Sequence, residues 1–394
     1  MRRLVALALC VLLCAPLLLC AGCAAGSDEN AGTRLIALNI GKADCLLLLY
    51  QDKAYLIDSG WERTWGALRE MLRQYGVTHL DGVFLTHCHK DHYGGFAQLA
   101  QSEVEIGAWY AAAVYYDLPA EGHPLVAAAA LRGEEVTFLS AGDTLSLGEG
   151  ATLTVLGPIS LNTENENNNS LVFSVETPDG TLLFTGDMKL EEETELLLAN
   201  AIPAAQVLKV PFHGDNTASS EYFAQAVMPQ IALICTATWE EADTPASSVV
   251  KRYGRVGAQV IVTQEAARAV EIILRSGQAK AENVVWDLPD YSASVSSSIT
   301  ADEDLLTLTN ASGEAISLAG WVVYSTRGEE IVTLPEGAVL PAGGTYSVGT
   351  KATSQAADLL LDVKRLWHKS KLDTAIVYDA SGAIVTFTDN GMAE

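Results

Sequence analysis

The chain has 394 residues, room for two hydrophobic cores, since single cores stop growing near ~250–300 residues. Its 49 acidic side chains against 24 basic ones give a net charge of -25. That field repels nucleic acid at long range, so a polyanionic substrate would need locally placed cations or metal ions. With 49% apolar and 19% charged residues, the fibrous and disordered classes are excluded. The chain opens on the basic Met1-Arg2-Arg3, followed by an apolar run from Leu4 to Leu19 broken only by Pro16. The run is too short to span a ~30 Å hydrocarbon core comfortably, which predicts a cleaved signal peptide over residues 1–22.

Ala21-Gly22 then precede Cys23, and Gly26-Ser27-Asp28-Glu29-Asn30 is polar. This stretch resembles the lipobox of bacterial lipoproteins, with Cys20 where leucine is usual. The resemblance implies acylation of Cys23 and extracytoplasmic anchoring to the bacterial cell membrane, for which two acyl chains suffice. Ordinary secretion is the alternative. Residues 23–33 read as a tether. Beyond the leader and Cys23, Cys45, Cys88 and Cys235 remain, too few and too scattered for a disulfide framework. Cys45 and Cys235, each in an apolar run, read as core hydrophobes.

From residue 34 the pattern is strand, turn, strand: Leu35–Asn39, Gly41-Lys42-Ala43-Asp44, Cys45–Tyr50 and Ala54–Asp58. Glu62–Tyr75 carries helical spacing through Leu68, Met71 and Leu72 and stops at Gly76. Val83–Thr86 is a short buried strand. Val126–Leu131 is Ala-rich, helix or lid. Further strands are expected at Val136–Leu139, Leu153–Leu156, Ser170–Glu176 and Thr181–Thr185. A helix is expected at Glu191–Ala199, then strands at Val207–Pro211, Ile231–Thr236 and Gln259–Val262. Alternating strands and helices with early hairpins predict a layered α/β domain over residues 34–287.

Ser292–Ser298 is serine-rich, which predicts a linker over residues 288–300. Residues 301–394 hold short apolar runs separated by Gly, Pro and Asn, among them Leu305–Leu308, Trp321–Tyr324 and Thr374–Tyr378. They predict a small all-β sandwich.

The chemistry concentrates in one place. His87, His89, Asp91 and His92 follow the strand Val83–Thr86 and precede Tyr93-Gly94-Gly95, in a chain with 7 histidines. On an extended exit His87 and His89 share a side, while Asp91 and His92 start a helix and face a second position. That is the arrangement of a dinuclear metal site. Cys88 faces away from its neighbours and reads as core packing. His123 reads as a surface-loop histidine, and His79 and His368 stand apart from any motif. Trp109-Tyr110 and Tyr115-Tyr116 are candidates for a base-stacking floor, with core or lid packing as the alternative. No nucleophile elbow, phosphate loop or dinucleotide fingerprint competes.

The run His-x-His-x-Asp-His after a strand is the signature of the metallo-β-lactamase superfamily, which implies an αββα four-layer sandwich. Four further segments resemble the nuclease-like domain of the competence protein ComEC: Leu38–Asp44, Leu56–Gly60, Asn167–Val172 with Phe184–Asp187, and Leu208–Gly214. Asn39, Lys42, Ala43 and Phe212 are departures, the last replacing the first His of a His-His-Gly segment. The resemblance implies that Asp187 bridges two ions, that Asp91, His92 and His213 hold the second, and that His87 and His89 hold the first. The superfamily's third histidine of the first site is missing. Asn168 or Asn169 is the candidate to supply an oxygen there, to metal or substrate, with a polar β-turn as the alternative. Imidazole and carboxylate ligands suit Zn²⁺, two ions being expected, with Mn²⁺ as the alternative at the oxygen-richer position. Asp91 or Asp187 would orient the attacking water.

Residues 301–394 resemble the lamin-tail domain, which implies an immunoglobulin-like sandwich, through Leu306–Asn310, Ile316–Trp321, Leu334–Gly344 and Val377–Gly382. That leaves binding of a surface partner, or spacing, as this segment's role, with Trp321 in its core. Together the resemblances imply a surface-anchored metal-dependent hydrolase, a phosphodiesterase or nuclease acting on extracellular DNA or nucleotides. The alternatives are a lactone, β-lactam or thioester hydrolase, or a surface binding protein without catalysis.

Overall fold

The computed structural model describes residues 32–114 and 122–392. The leader, Cys23 and the pair Tyr115-Tyr116 lie outside the described residues. Two mostly buried sheets are stacked face to face. The first holds eight strands in the order Gln278–Val284, Ala269–Arg275, Thr33–Leu38, Leu46–Tyr50, Lys53–Ile57, Gly82–Leu85, Trp109–Ala112, Val136–Leu139. The second holds seven, in the order Gln259–Val262, Ile231–Ile234, Val207–Lys209, Gly180–Phe184, Val172–Thr177, Ala151–Gly157, Thr144–Gly148.

Period-two alternation sorts the side chains between layers. Leu35 and Ala37 point into the core between the sheets, with Phe84, Phe173, Phe184 and Leu233. Their neighbours Ile36 and Leu38 point outward onto Leu68, Met71, Phe96 and Leu125 of the helices Trp65–Gln74, Phe96–Ala100 and Pro124–Ala130. On the other side Leu183, Leu208 and Ile234 meet Leu196, Phe223 and Tyr253 of the helices Leu190–Leu198, Glu221–Val227 and Ser247–Arg255. Strands covered on both faces need continuous apolar runs, which is what the sequence supplies. The result is the four-layer αββα sandwich expected.

The C-terminal part is all β. Two four-stranded sheets, one built on Leu305–Asn310 and Thr345–Gly349 and the other on Val322–Ser325 and Thr374–Tyr378, enclose Leu306, Trp321, Val323, Trp367 and Val377. The serine-rich stretch is not a linker throughout: Val295–Thr300 is a strand paired antiparallel with Leu305–Asn310. Val295 and Ile299 turn inward while Ser296 and Ser298 stay exposed, an edge-strand alternation that composition alone disguises as a tether.

Other readings need correcting. His123 is buried at 1% exposure, edge-on to Phe138, and burial pushes its pKa down to about 4. Trp109 is a core strand residue and Tyr110 stacks on Phe84 with centroids 4.8 Å apart, so neither floors a groove. Cys88, by contrast, packs against the outer helix layer as its alternation with His87 and His89 predicts, and burial pushes its thiol up to about 12.

Candidate metal centre

Strand ends from both sheets deliver the polar side chains to one edge of the sandwich. His87 follows the strand Gly82–Leu85 and Thr86, and His89 caps the helical turn Lys90–Tyr93 that carries Asp91 and His92. The turn packs tightly against the chain at residues 59–62: a Cβ on Gly94 would lie 2.3 Å from Glu62 N, and one on Gly95 2.7 Å from Ser59 O. The glycines serve close approach, since neither is among the positive-φ residues. Asp187 follows the strand Gly180–Phe184, its N–H donating to Ser170 Oγ at 3.0 Å. His213 lies beyond the strand Val207–Lys209 in a turn where both Phe212 (φ 47, ψ 47) and His213 (φ 52, ψ 23) are left-handed. Such backbone is costly for bulky residues and is tolerated where a site demands it.

Asp91, His92, Asp187 and His213 converge so that one ligand-type atom from each lies within 4.8 Å of all the others. Asp187 Oδ2 is 3.3 Å from His92 Nε2, 3.2 Å from His213 Nε2 and 3.8 Å from His87 Nε2. Asp91 Oδ2 is 3.3 Å from His213 Nε2 and 3.8 Å from His92 Nε2. His87 Nε2 lies 3.0 Å from His89 Nδ1. Four of the six sequence-predicted side chains thus converge, His87 adjoins them through Asp187, and His89 adjoins His87.

The far nitrogens explain the orientation. His92 Nδ1 is 2.7 Å from Asp58 Oδ2, and His213 Nδ1 is 2.7 Å from the Cys235 carbonyl oxygen. The carbonyl can only accept, so His213 Nδ1 carries the proton and Nε2 offers a lone pair; Asp58 does the same for His92. Asp58 also accepts the Thr86 N–H at 2.8 Å and the Thr86 hydroxyl at 2.7 Å, and its backbone is itself left-handed (φ 56). The Nε2 atoms of His92 and His213 are buried without a hydrogen-bond partner. Two aimed lone pairs beside two carboxylates are a donor set suited to a divalent ion, so the residues present fit the group.

Without an ion the carboxylates pull protons onto the rings. Burial opposes charge on His213, but Asp187, Asp91 and Asp44 outweigh it and raise its pKa to about 9. Burial likewise opposes charge on His92, and Asp187, Asp58 and Asp91 hold its pKa well above the usual value. His87 goes the other way, lowered by burial and then by His92. Burial would raise Asp187, yet the two rings hold it well below the carboxylate range.

Asn168 and Asn169 are not turned toward the cluster. Asn168 Oδ1 accepts the N–H groups of Lys189 (3.0 Å) and Glu192 (3.4 Å), and its Nδ2 donates to Glu191. Asn169 bonds Asn162 N (2.8 Å) and O (3.0 Å) and Glu166. Both amides are spent on the loop and the start of the helix Leu190–Leu198.

The superfamily profile described as "Metallo-beta-lactamase superfamily" matches residues 39–238, half of the chain. The chain belongs to the metallo-beta-lactamase superfamily. Recombination protein 2 of Haemophilus influenzae is 26% identical over 229 residues, 57% of this chain and 26% of its own length. ComE operon protein 3 of Bacillus subtilis is 28% identical over 192 residues, 48% of this chain and 24% of its own. Competence protein ComA of Neisseria gonorrhoeae is 27% identical over 214 residues, 54% and 28%. The match spans about a quarter of these relatives' length. Among solved structures, the metallo-beta-lactamase fold protein YhfI of Bacillus subtilis has a TM-score of 0.39 at 14% identity, over 64% of this chain and all of its own. The metallo hydrolase Igni18 of Ignicoccus hospitalis has 0.42 at 13%, over 64% and all of its own.

Three residues beyond the six predicted ligands adjoin the site: Asp58 and Asp44, without a sequence-assigned role, and Lys209, which the sequence offers as a cation for substrate phosphate and the structure buries instead. Asp58 orients His92. Lys209, 1% exposed, ion-pairs with Asp44, lies 3.6 Å from Asp187 Oδ1 and donates to Gly186 O at 2.9 Å. A lysine in an apolar strand beside an aspartate-bearing turn was the available signal for that pair.

Proposed function

We propose that the chain is a metal-dependent phosphodiesterase or nuclease, anchored at the bacterial surface through Cys23, that acts on DNA or nucleotides. The observation that carries it is the convergence of Asp91, His92, Asp187 and His213 around two unpartnered Nε2 atoms. The relatives' names, recombination and competence proteins, favour DNA as the substrate class. Zn²⁺ suits the donor types; of two ions, His87 and His89 would hold the first and Asp91, His92 and His213 the second, with Asp187 available to each. A divalent ion there supplies Lewis acidity and acidifies the water it binds.

The chain's own residues do the rest. Asp58 and the Cys235 carbonyl fix the ring tautomers. Lys209 balances Asp44 and Asp187, so that buried carboxylates are tolerated before an ion arrives. Asp91, whose side chain keeps 15% exposure against 2% for Asp187, is the better placed of the two carboxylates to orient an attacking water by accepting its hydrogen bond. The C-terminal β part, which resembles a lamin tail, serves as a spacer or holds a surface partner.

The test is hydrolysis by the purified chain with Zn²⁺ or Mn²⁺ of a panel of nucleic acids, nucleotides, lactones, β-lactams and thioesters. Phosphodiester cleavage that vanishes in Asp187→Ala and with chelator is expected; acyl hydrolysis alone would contradict the reading. Anchoring is tested by Cys23→Ser, which should release the protein from membranes or block its processing.

A further inference from the structure

Three side chains flank members of the cluster in sequence: Lys42 lies two before Asp44, Lys189 two after Asp187, and Phe212 next to His213. The left-handed pair at 212–213 sends His213 inward, fully buried, and leaves the Phe212 ring part-exposed. Two ammoniums gather on that ring, Lys189 Nζ at 4.8 Å and Lys42 Nζ at 5.5 Å from its centroid. Like charges held to one ring need a reason, and the ring's negative face supplies the means.

The turn that carries Lys42 is held from outside the loops of the cluster. The Lys42 N–H donates to Glu240 Oε2 at 2.7 Å. Glu240 is ion-paired with Arg63, a buried guanidinium lying 4.1 Å from the Trp61 ring and 4.4 Å from that of Tyr324. Arg63 Nε in turn donates to the Tyr378 hydroxyl at 3.2 Å. A relay of contacts therefore runs from the C-terminal β part to the Lys42 turn.

In a chain of net charge -25 most cations are neutralised locally. Lys209 is buried against Asp44, and Lys90 is 2.8 Å from Glu329. Lys42 has only Glu241 at 3.6 Å, and Lys189 makes no ion pair among the described residues. The cluster behind them is rich in carboxylates and would repel an incoming phosphate.

We propose that Lys42 and Lys189, gathered by Phe212, form an anion subsite at the mouth of the centre that takes a phosphate adjacent to the scissile one. This rests on the phosphodiesterase reading and narrows it: the preferred substrate is a single strand or oligonucleotide with flanking phosphates, not a lone diester. Each ammonium acts as a point charge on the backbone, without reading sequence.

The test is fluorescence anisotropy of a short labelled single-stranded oligonucleotide with the full purified chain in chelator, across a salt series. Lys42→Ala/Lys189→Ala is expected to weaken binding roughly tenfold and to flatten the log–log salt dependence by about 1.4, two contacts at ~0.7 each. Lys42→Arg/Lys189→Arg should restore both, because charge and not shape is required. Lys189→Ala alone, at a position with no ion pair to lose, should give about half the change in slope. Unchanged affinity and slope in the double variant, or no binding by the parent chain, would overturn the subsite. Lysine-dependent binding without any phosphodiester cleavage would leave the subsite standing and overturn the phosphodiesterase reading instead.

Discussion

The two halves of the candidate metal centre are built to different standards. In the half containing His92 and His213, each ring has its far nitrogen fixed by an acceptor at 2.7 Å, and a buried lysine balances the carboxylates. In the half containing His87 and His89, the rings approach each other at 3.0 Å, His87 Nδ1 has only the Thr86 hydroxyl at 3.2 Å, and His89 is part-exposed. The hairpin that lies alongside spends its Asn168 and Asn169 amides on its own loop. Residue type alone does not separate the halves; what separates them is the support behind the rings.

The largest effect should come from the one group common to both. Asp187→Ala is expected to reduce metal content to near zero, whereas His89→Ala should lose about one ion of two, as read by elemental analysis of the purified proteins. Retention of metal by Asp187→Ala would break the comparison at its shared point.

Next is Lys209→Met, which leaves Asp44 and Asp187 buried without their cation. A cost of about 3–5 kcal/mol in the metal-free protein is expected from chemical denaturation, because an uncompensated buried charge remains. The loss should shrink markedly with metal bound, since the ion then supplies the charge. Equal destabilisation with and without metal would show that Lys209 is not electrostatically part of the well-supported half.

Asp58→Asn keeps the shape but removes the carboxylate behind His92. Metal affinity of that half should fall roughly 10–100-fold by competition with a chromophoric chelator, while His87→Ala should leave the tighter ion nearly untouched. An unaffected affinity in Asp58→Asn would mean that the 2.7 Å contact to His92 is structural only.

The smallest effect is a drift with pH. In the metal-free protein His213 has its pKa raised to about 9, against an unfolded value of ~6.5. Its charged form stabilises the fold fully below the unfolded value, and that contribution is lost as pH rises toward 9. The thermal midpoint of the metal-free protein should decline over this window, and affinity for the ion at His213 should rise as there is less proton to displace. His87, with its pKa pushed down, gives the other half no such dependence above neutrality. A flat metal-free profile, or a parallel rise in both halves, would contradict the assignment.

Much of this was legible beforehand because it depends on local pattern. Double-faced apolar strands such as Leu35–Leu38 announce a two-sheet sandwich, and His87 to His92 announce a centre wherever the rest of the chain goes. Asp187 and His213 were placeable only through family resemblance, being 96 and 122 positions from Asp91 with no local spacing to join them. What stayed hidden depends on which partner a side chain meets at long range. Lys209 looks like a free cation until its strand is set beside the Asp44 turn, and the Asn-rich hairpin looks like a ligand until the helix at Leu190 claims its amides. Val295–Thr300 failed for another reason, because three consecutive serines in an edge strand have the composition of a tether.

The most direct test is calorimetric titration of the metal-free chain with Zn²⁺, alongside His213→Ala and His89→Ala. The expected result is two binding steps in the parent protein, the tighter one lost in His213→Ala and the weaker one lost in His89→Ala. A single class of sites in the parent, or loss of the tighter step in His89→Ala with its retention in His213→Ala, would contradict an unequal two-ion centre joined at Asp187.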